Sequence, residues 1–249
     1  DRLWQMELLR RIAAGRLSEL FGKKTKDVDC FFKRLGIEEA TEKTIKNLAK
    51  DTEHLKLSQA YLGGINQFIN EGTTPIEYHL LGLEKEIFGL DDIYNVFGYM
   101  AFSFAMAHKT DPLLSELKTK LGMKYLNDLS IDLDTVSTSI QGNAVLAGSS
   151  TVSASLTALF KEIPVPLFIG SNSWVLGPKK TTSGQVLFEN DPHIGFAQPS
   201  VWYQAHIKTP NYENYGFYLA LTPFPLLGHN RDYAYGITMF ENDDIDFYY

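Results

Sequence analysis

Gly170-Ser171-Asn172-Ser173-Trp174, followed by Asn190-Asp191-Pro192-His193, is the stretch on which the reading of this chain turns. It sets a small nucleophilic side chain directly after a glycine, with a strand-like apolar run, Trp174-Val175-Leu176, behind it. Two readings follow. In one, Gly-Ser is an ordinary turn leading into a strand. In the other, the Gly170–Ser171 peptide bond is cut and Ser171 becomes a chain terminus carrying both a hydroxyl and a free α-amine. An α-amine titrates at about 7.7–8.0, so much of it is neutral near neutral pH and can act as a base. Nucleophile and base would then sit on one residue.

On the N-terminal side of this stretch the chain reads as helices. Leu9, Ile12, Ala13, Leu17, Leu20 and Phe21 follow helical spacing, with Gly22 where a C-terminal cap belongs. Residues 41–70 carry a broad apolar face (Ile45, Leu48, Leu55, Tyr61, Ile65, Phe68), which the Gly63-Gly64 pair should weaken or kink. Asp91 and Asp92 can cap a third helix, and residues 114–121 form a fourth. From about residue 130 to 148 the composition shifts to Ser, Thr, Gly and Asn, the signature of a linker. Beyond it, residues 174–176, 186–188, 201–207, 216–221 and 233–237 are candidate strands, rich in aromatic and β-branched residues and separated by Gly, Pro or Asn. Helices first and antiparallel strands later predict an α+β fold.

Composition narrows the function classes. The 249 residues suffice for one ordinary domain or two small ones, and 44% apolar with 21% charged residues is globular usage. A net charge of −7 argues against nucleic-acid binding. The single cysteine, Cys30, excludes an intrachain disulfide, and its neighbours Asp29, Phe31 and Phe32 suggest an inert residue in a packed helix. The apolar run 93–107 is too short for a membrane span and reads as a buried helix. The five histidines other than His193 (His54, His79, His108, His206, His229) show no metal spacing, and His229 in the Gly-His-Asn turn reads as structural, with Asn230 supporting the turn. Trp202, Tyr203, Tyr212 and Tyr215, if exposed, would suit a carbohydrate- or peptide-binding module.

Several segments together resemble the penicillin acylase family of N-terminal-nucleophile amidohydrolases. DRLWQMELLRRIAAGRLSELFG (1–22) looks like the first helix of the family's smaller chain, AYLGGINQFIN (60–70) like its YxxGxN helix, and PIEYHLLG (75–82) like the segment after it. GSNSWVLG, NDPHIGF and GHNRDYAYGITMFENDDID (228–246) are similar to the start of the larger chain. The resemblance covers nearly the whole sequence in order. It implies part of an αββα fold: a helical small-chain segment at 1–129, a spacer at 130–170 and the first strands of the large chain at 171–249. It also implies a piece cut at both ends, with any signal peptide upstream and a location in the periplasm or outside the cell.

The resemblance assigns chemistry residue by residue. Ser171 becomes the nucleophile, freed when its own Oγ attacks the Gly170 carbonyl; a glycine there would permit a strained backbone and close approach. His193 falls where relatives carry Gln or His near the nucleophile, either assisting proton transfer or satisfying a backbone group at the strand turn. The backbone N–H of Met239 becomes one oxyanion donor, while the second, an asparagine, lies downstream of Tyr249. Loss of one such donor costs roughly 3–4 kcal/mol, about 10²–10³ in rate, so this piece alone should be a crippled catalyst.

A Ca²⁺ site is implied at Asp243, Ile245 (by its carbonyl) and Asp246, joined by Asp111 from the smaller chain; clustered carboxylates suit a hard cation. The acyl pocket falls near Ala101, Phe104, Ala105, Ile194, Leu227 and Ile237. Ala105 stands where phenylacetyl-selective members carry a bulky aromatic, which points to another acyl group such as an aliphatic chain. The implied partners are a small-molecule amide substrate, of the β-lactam or acyl-homoserine lactone type, and the other mature chain of a heterodimer. The competing reading is an unprocessed, catalytically silent precursor.

Overall fold

The computed structural model describes residues 2–49, 52–105, 107–129, 155, 158–159, 161–163 and 168–239. The fold is α+β: helices occupy the first half and antiparallel strands the second. The helices are α1 (Leu3–Ala13), α2 (Ser18–Phe21), α3 (Lys26–Leu35), α4 (Ile37–Asn47), α5 (Glu53–Glu71), α6 (Ile76–Leu81), α7 (Leu90–Phe104) and α8 (Ala107–Asp128). The strands are β1 (Phe168–Leu176), β2 (Leu187–Ile194), β3 (Trp202–Lys208), β4 (Glu213–Leu219), β5 (Leu227–His229) and β6 (Ala234–Tyr235). Strands β1 and β2 form a two-stranded hairpin, and β3-β4-β5-β6 a four-stranded antiparallel sheet.

The chain divides into two compact units. One joins Asp1–Phe104 to Ile163–Phe240, so the first seven helices and every strand share it; the other comprises Ala105–Glu162 and Glu241–Tyr249. The spacer expected at 130–170 lies mostly outside the described residues. In the second unit, α8 runs beyond the expected 114–121 helix at both ends, but it loses helical geometry at Gly122 (φ 79°), directly after the expected end.

The helical core forms because α7 presents apolar residues along one side: Ile93, Val96, Tyr99 and Phe102 are all buried. Phe32 of α3 meets Phe102 and Tyr99 with ring centroids 5.5 and 5.7 Å apart. The expected core helix at 93–107 is therefore present, ending at Phe104. Beside it a buried ionic cluster ties α1 to its neighbours. The Glu7 carboxylate, 1% exposed, accepts from Arg10, from Arg11 and from the Tyr78 hydroxyl at 3.1 Å. Burial and that carboxylate push the Tyr78 phenol well above its ordinary range. Arg10 also lies 3.7 Å from Asp92, whose side chain accepts the Gly89 N–H at the start of α7. Burial holds the Asp92 carboxyl above the usual range, against the pull of that N–H and of Arg10.

Four local expectations are corrected. The helix read through to Gly22 breaks after Ala13, because Gly15 takes φ +61° and a Cβ there would stand 2.7 Å from the Asp29 carbonyl. Asp29 then accepts the Leu17 and Ser18 N–H groups at 2.6 and 2.7 Å and starts α2. The apolar face at 41–70 belongs to two helices that part after Asn47, where Leu48 is extended, and Gly63-Gly64 sit inside α5 without a break. Cys30 lies in a helix as expected but is exposed, since α3 buries Val28, Asp29 and Phe32 instead. Of the four aromatics offered to a binding module, only Tyr212 is exposed: Trp202 packs on the Val201–Leu219 cluster and Tyr203 stacks on Tyr218 at 5.3 Å. Among the described residues no helix is long and apolar enough to cross a membrane.

Candidate active site

Ser171 lies within β1, which runs unbroken through the Gly170–Ser171 bond. Its partner strand β2 carries the Asn-Asp-Pro-His segment, with Ser171 opposite Pro192 and Gly170 opposite His193. The register shifts between Phe168 and Gly170, an irregularity directly before the junction. Gly170 has no positive φ, and a Cβ there would meet only His193 Nδ1, at 3.7 Å, an ordinary contact. The strained glycine foreseen at this bond is therefore not found.

Met239 comes to Ser171 from 68 residues away, its main-chain N–H donating to Ser171 Oγ at 3.1 Å. The route of the chain explains the meeting. Strand β5 turns at Asn230, whose side-chain oxygen accepts the N–H groups of Asp232 and Tyr233 at 2.8 and 2.9 Å, while its own N–H donates to the Tyr233 carbonyl. This Asx turn returns the chain as β6 and carries Gly236 to Met239 onto the face of the hairpin that bears the Ser171 hydroxyl. The turn role foreseen for Asn230 holds. What the Gly-His-Asn reading missed is that Leu227–His229 is itself a strand, paired with β4 on one edge and β6 on the other.

The structure does not bring His193 to Ser171. Cross-strand partners share a face and neighbours along a strand alternate. His193 therefore lies with Gly170, Asp191 and Asn172, whereas Ser171 and Pro192 face the other way. His193 Nε2 is 3.0 Å from Asp191 Oδ2 and 3.3 Å from Asn172 Nδ2. One nitrogen cannot donate to the carboxylate and accept from the amide at once, so a proton on Nε2 selects the Asp191 bond.

The residue missed in the sequence is Asn190. Its amide lies between β1 and the Met239 segment, bonded to the Asn172 carbonyl and to both main-chain groups of Ile237. A clue lay in the pattern itself: a polar amide inside a strand, and a glycine, Gly236, in the apolar run that would pass over it.

The expected pocket residues fall at different places among the described residues. Phe104 and Ile194 both pack against the core around Val201 and Leu219, together with Met100, Trp202 and Leu226. Leu227 is buried in β5, Ile237 is half-buried beside Asn190, and Ala101 is exposed on α7. Ala105 belongs to the second unit. A cleft of about 510 Å³ lies elsewhere, lined by residues of α1 and α5 and by Tyr203. Of the metal-site residues, Asp111 lies in α8, its carboxylate accepting from the Thr110 hydroxyl at 3.3 Å. Asp243, Ile245 and Asp246 lie outside the described residues. Among the described residues no three His, Cys, Asp or Glu side chains converge for a metal.

The sequence that builds this geometry has relatives among known proteins. The family model for penicillin amidase matches residues 1–249. An acyl-homoserine lactone acylase, QuiP, of Pseudomonas aeruginosa is 26% identical across 100% of this chain and 30% of its own length. Penicillin acylase 2 proenzyme of Pseudomonas sp. strain SE83 is 28% identical across 100% of this chain and 33% of its own. Penicillin G acylase of Escherichia coli is 24% identical, with 100% and 36% covered. The chain thus spans about a third of the length of these relatives.

Proposed function

The chain belongs to the penicillin amidase family, and from that premise we propose that the protein containing it hydrolyses a linear amide with Ser171 as N-terminal nucleophile. The observation that carries this reading is the Met239 N–H aimed at Ser171 Oγ across 3.1 Å. In maturation, Oγ attacks the Gly170 carbonyl and its proton passes to the departing Ser171 nitrogen. The acyl group thereby shifts from nitrogen to oxygen. Water then cleaves the ester, leaving a Gly170 carboxylate and a Ser171 with free hydroxyl and α-amine. In turnover, Oγ attacks the substrate amide while the α-amine takes its proton, directly or through one water. The amine returns that proton to the leaving amine, and water hydrolyses the acyl-Ser171 ester. Negative charge on the attacked carbonyl oxygen develops within reach of the Met239 N–H, and preorganised donors of this kind supply much of the rate.

The substrate class is an N-acyl amine. Relatives named as acyl-homoserine lactone acylases and as penicillin acylases support an acylated homoserine lactone or the linear side-chain amide of a β-lactam. A Ca²⁺ ion held by Asp243, the Ile245 carbonyl, Asp246 and Asp111 would tether the two mature chains; carboxylate and carbonyl oxygens suit such a hard cation. Its role is structural, and no step of the chemistry passes through it. The family's usual location, periplasmic or secreted, is proposed for this protein as well.

The test uses the full-length gene product, incubated with an N-acyl-homoserine lactone and with a penicillin. Mass spectrometry should find a fragment beginning at Ser171, and release of the amine should be abolished by acetylating the α-amine of Ser171 without unfolding the protein. An intact chain with no hydrolysis of either substrate would sink the reading in favour of a silent precursor.

A further inference from the structure

Asn190 joins the two stretches of chain that carry the nucleophile and the donor facing it. Its Nδ2 donates to the Asn172 carbonyl at 3.0 Å and to the Ile237 carbonyl at 3.0 Å. Its Oδ1 accepts the Ile237 N–H at 3.0 Å. The two bonds to Ile237 imitate a strand pairing, and the third fixes the Asn172–Ser173 peptide group, one residue beyond Ser171. An asparagine amide offers two N–H donors and an oxygen acceptor, and this site uses all three groups. The chain then runs two residues from Ile237 to Met239, whose N–H reaches Ser171 Oγ. Gly236 closes over the same amide: a Cβ there would stand 2.3 Å from Asn190 Oδ1 and 2.8 Å from Phe188 Cζ. A glycine is needed at that point because the backbone passes directly against the side chain.

Resting on the reading of Ser171 as nucleophile, we infer that Asn190 is a positioning residue for the oxyanion donor, setting the Met239 N–H against Ser171 Oγ. It touches neither substrate nor reacting atoms. It acts by fixing the separation of two segments that no strand ladder joins: β1 pairs with β2, whereas the Met239 segment follows the edge strand β6. Aspartate has the same shape but lacks both donors, and would set a carboxylate against the carbonyl oxygens of Asn172 and Ile237. Alanine removes the clamp outright. A misplacement of about 1 Å costs about 10²-fold in rate, and a lost oxyanion donor about 10²–10³-fold. Such a donor strengthens in the transition state, so the loss belongs in kcat rather than KM.

The experiment compares Asn190→Asp, Asn190→Ala and Gly236→Ala with wild type in the full-length gene product. It measures kcat and KM on an N-acyl-homoserine lactone together with amide hydrogen exchange of the peptide containing residues 236–239. The expected result is a kcat lowered by about 10²-fold with KM unchanged, and faster exchange confined to that peptide. Wild-type kcat in Asn190→Asp would overturn the inference, as would a rise in KM with kcat intact, or undiminished protection of the peptide in all three variants. Should Asn190→Ala fail to fold, the isosteric Asn190→Asp and Gly236→Ala decide alone. If wild type itself forms no acyl-Ser171, the nucleophile assignment falls and the catalytic role with it, whereas exchange still reads whether Asn190 holds Met239.

Discussion

Gly170 and His193 stand opposite one another in the β1–β2 ladder, and this pairing turns the imidazole away from the hydroxyl of Ser171. Because side chains alternate along a strand, the residue after Gly170 faces the other side of the hairpin. The imidazole is bonded instead to Asp191. Its position in the sequence suggests a partner of the nucleophile, whereas the geometry gives it an orienting contact on the opposite face.

His193→Gln is therefore expected to keep appreciable activity. Steady-state kcat/KM on an N-acyl substrate checks this. Were the variant as inactive as Ser171→Ala, histidine would be the base and the α-amine assignment would be wrong.

Ser171→Ala should leave one uncut chain, since the hydroxyl proposed to attack Gly170 is gone, while Ser171→Cys should still be processed by its thiol. Intact-mass measurement distinguishes the two. Cleavage of Ser171→Ala at the same bond would assign processing to an external protease.

Glu7→Ala should be strongly destabilising, because it removes the one buried carboxylate shared by two nearly buried guanidinium groups and the Tyr78 hydroxyl, leaving Arg10 only Asp92 and the exposed Glu86 and Arg11 only the exposed Glu19 and Glu86. Breaking a buried ionic cluster by removing one partner costs about 3–5 kcal/mol. Tyr78→Phe, which deletes a single hydrogen bond, should cost about 1 kcal/mol. Urea unfolding midpoints measure both, and equal costs would refute this account of the cluster.

Asp92→Asn should stabilise the protein at neutral pH. Burial raises the Asp92 pKa in the folded state, so between its unfolded and folded values the native state holds more protons than the unfolded one. Stability from this group is fully present below the unfolded value of about 3.9 and is lost as pH rises through the folded value. The gain in Asp92→Asn should therefore grow with pH and vanish under acid conditions. Melting temperatures recorded across that range test it, and a gain independent of pH would remove burial as the cause.

Chelator should lower the melting temperature of the full-length protein, and added Ca²⁺ should restore it. The proposed ligands, Asp111 and the 243–246 segment, would converge only on folding, so metal affinity would become folding free energy. An unchanged melting temperature, with no calcium in elemental analysis, would remove the site.

What the sequence by itself determined rests on short-range order. The apolar run 93–107 and the Asp91-Asp92 cap located α7, Asn230 marked the turn between β5 and β6, and aromatic and β-branched runs between turn residues marked most of the strands. Each depends on residues within a few positions of one another, and side-chain periodicity or an Asx turn specifies them locally. The motif order around Ser171 and Met239 was legible too, through resemblance.

Tertiary structure alone decided the partners. Asp29 starts α2 from another helix, Glu7 is buried between two arginines and a tyrosine 71 residues away, and Asn190 finds Ile237 47 residues on. Periodicity states which face a residue occupies but not what lies against that face. A polar side chain's hydrogen bonds depend on strand register and on where distant segments cross, and the local pattern contains neither. His193 shows the difference most clearly: one step of alternation along β2 sets it beside Asp191 instead of Ser171.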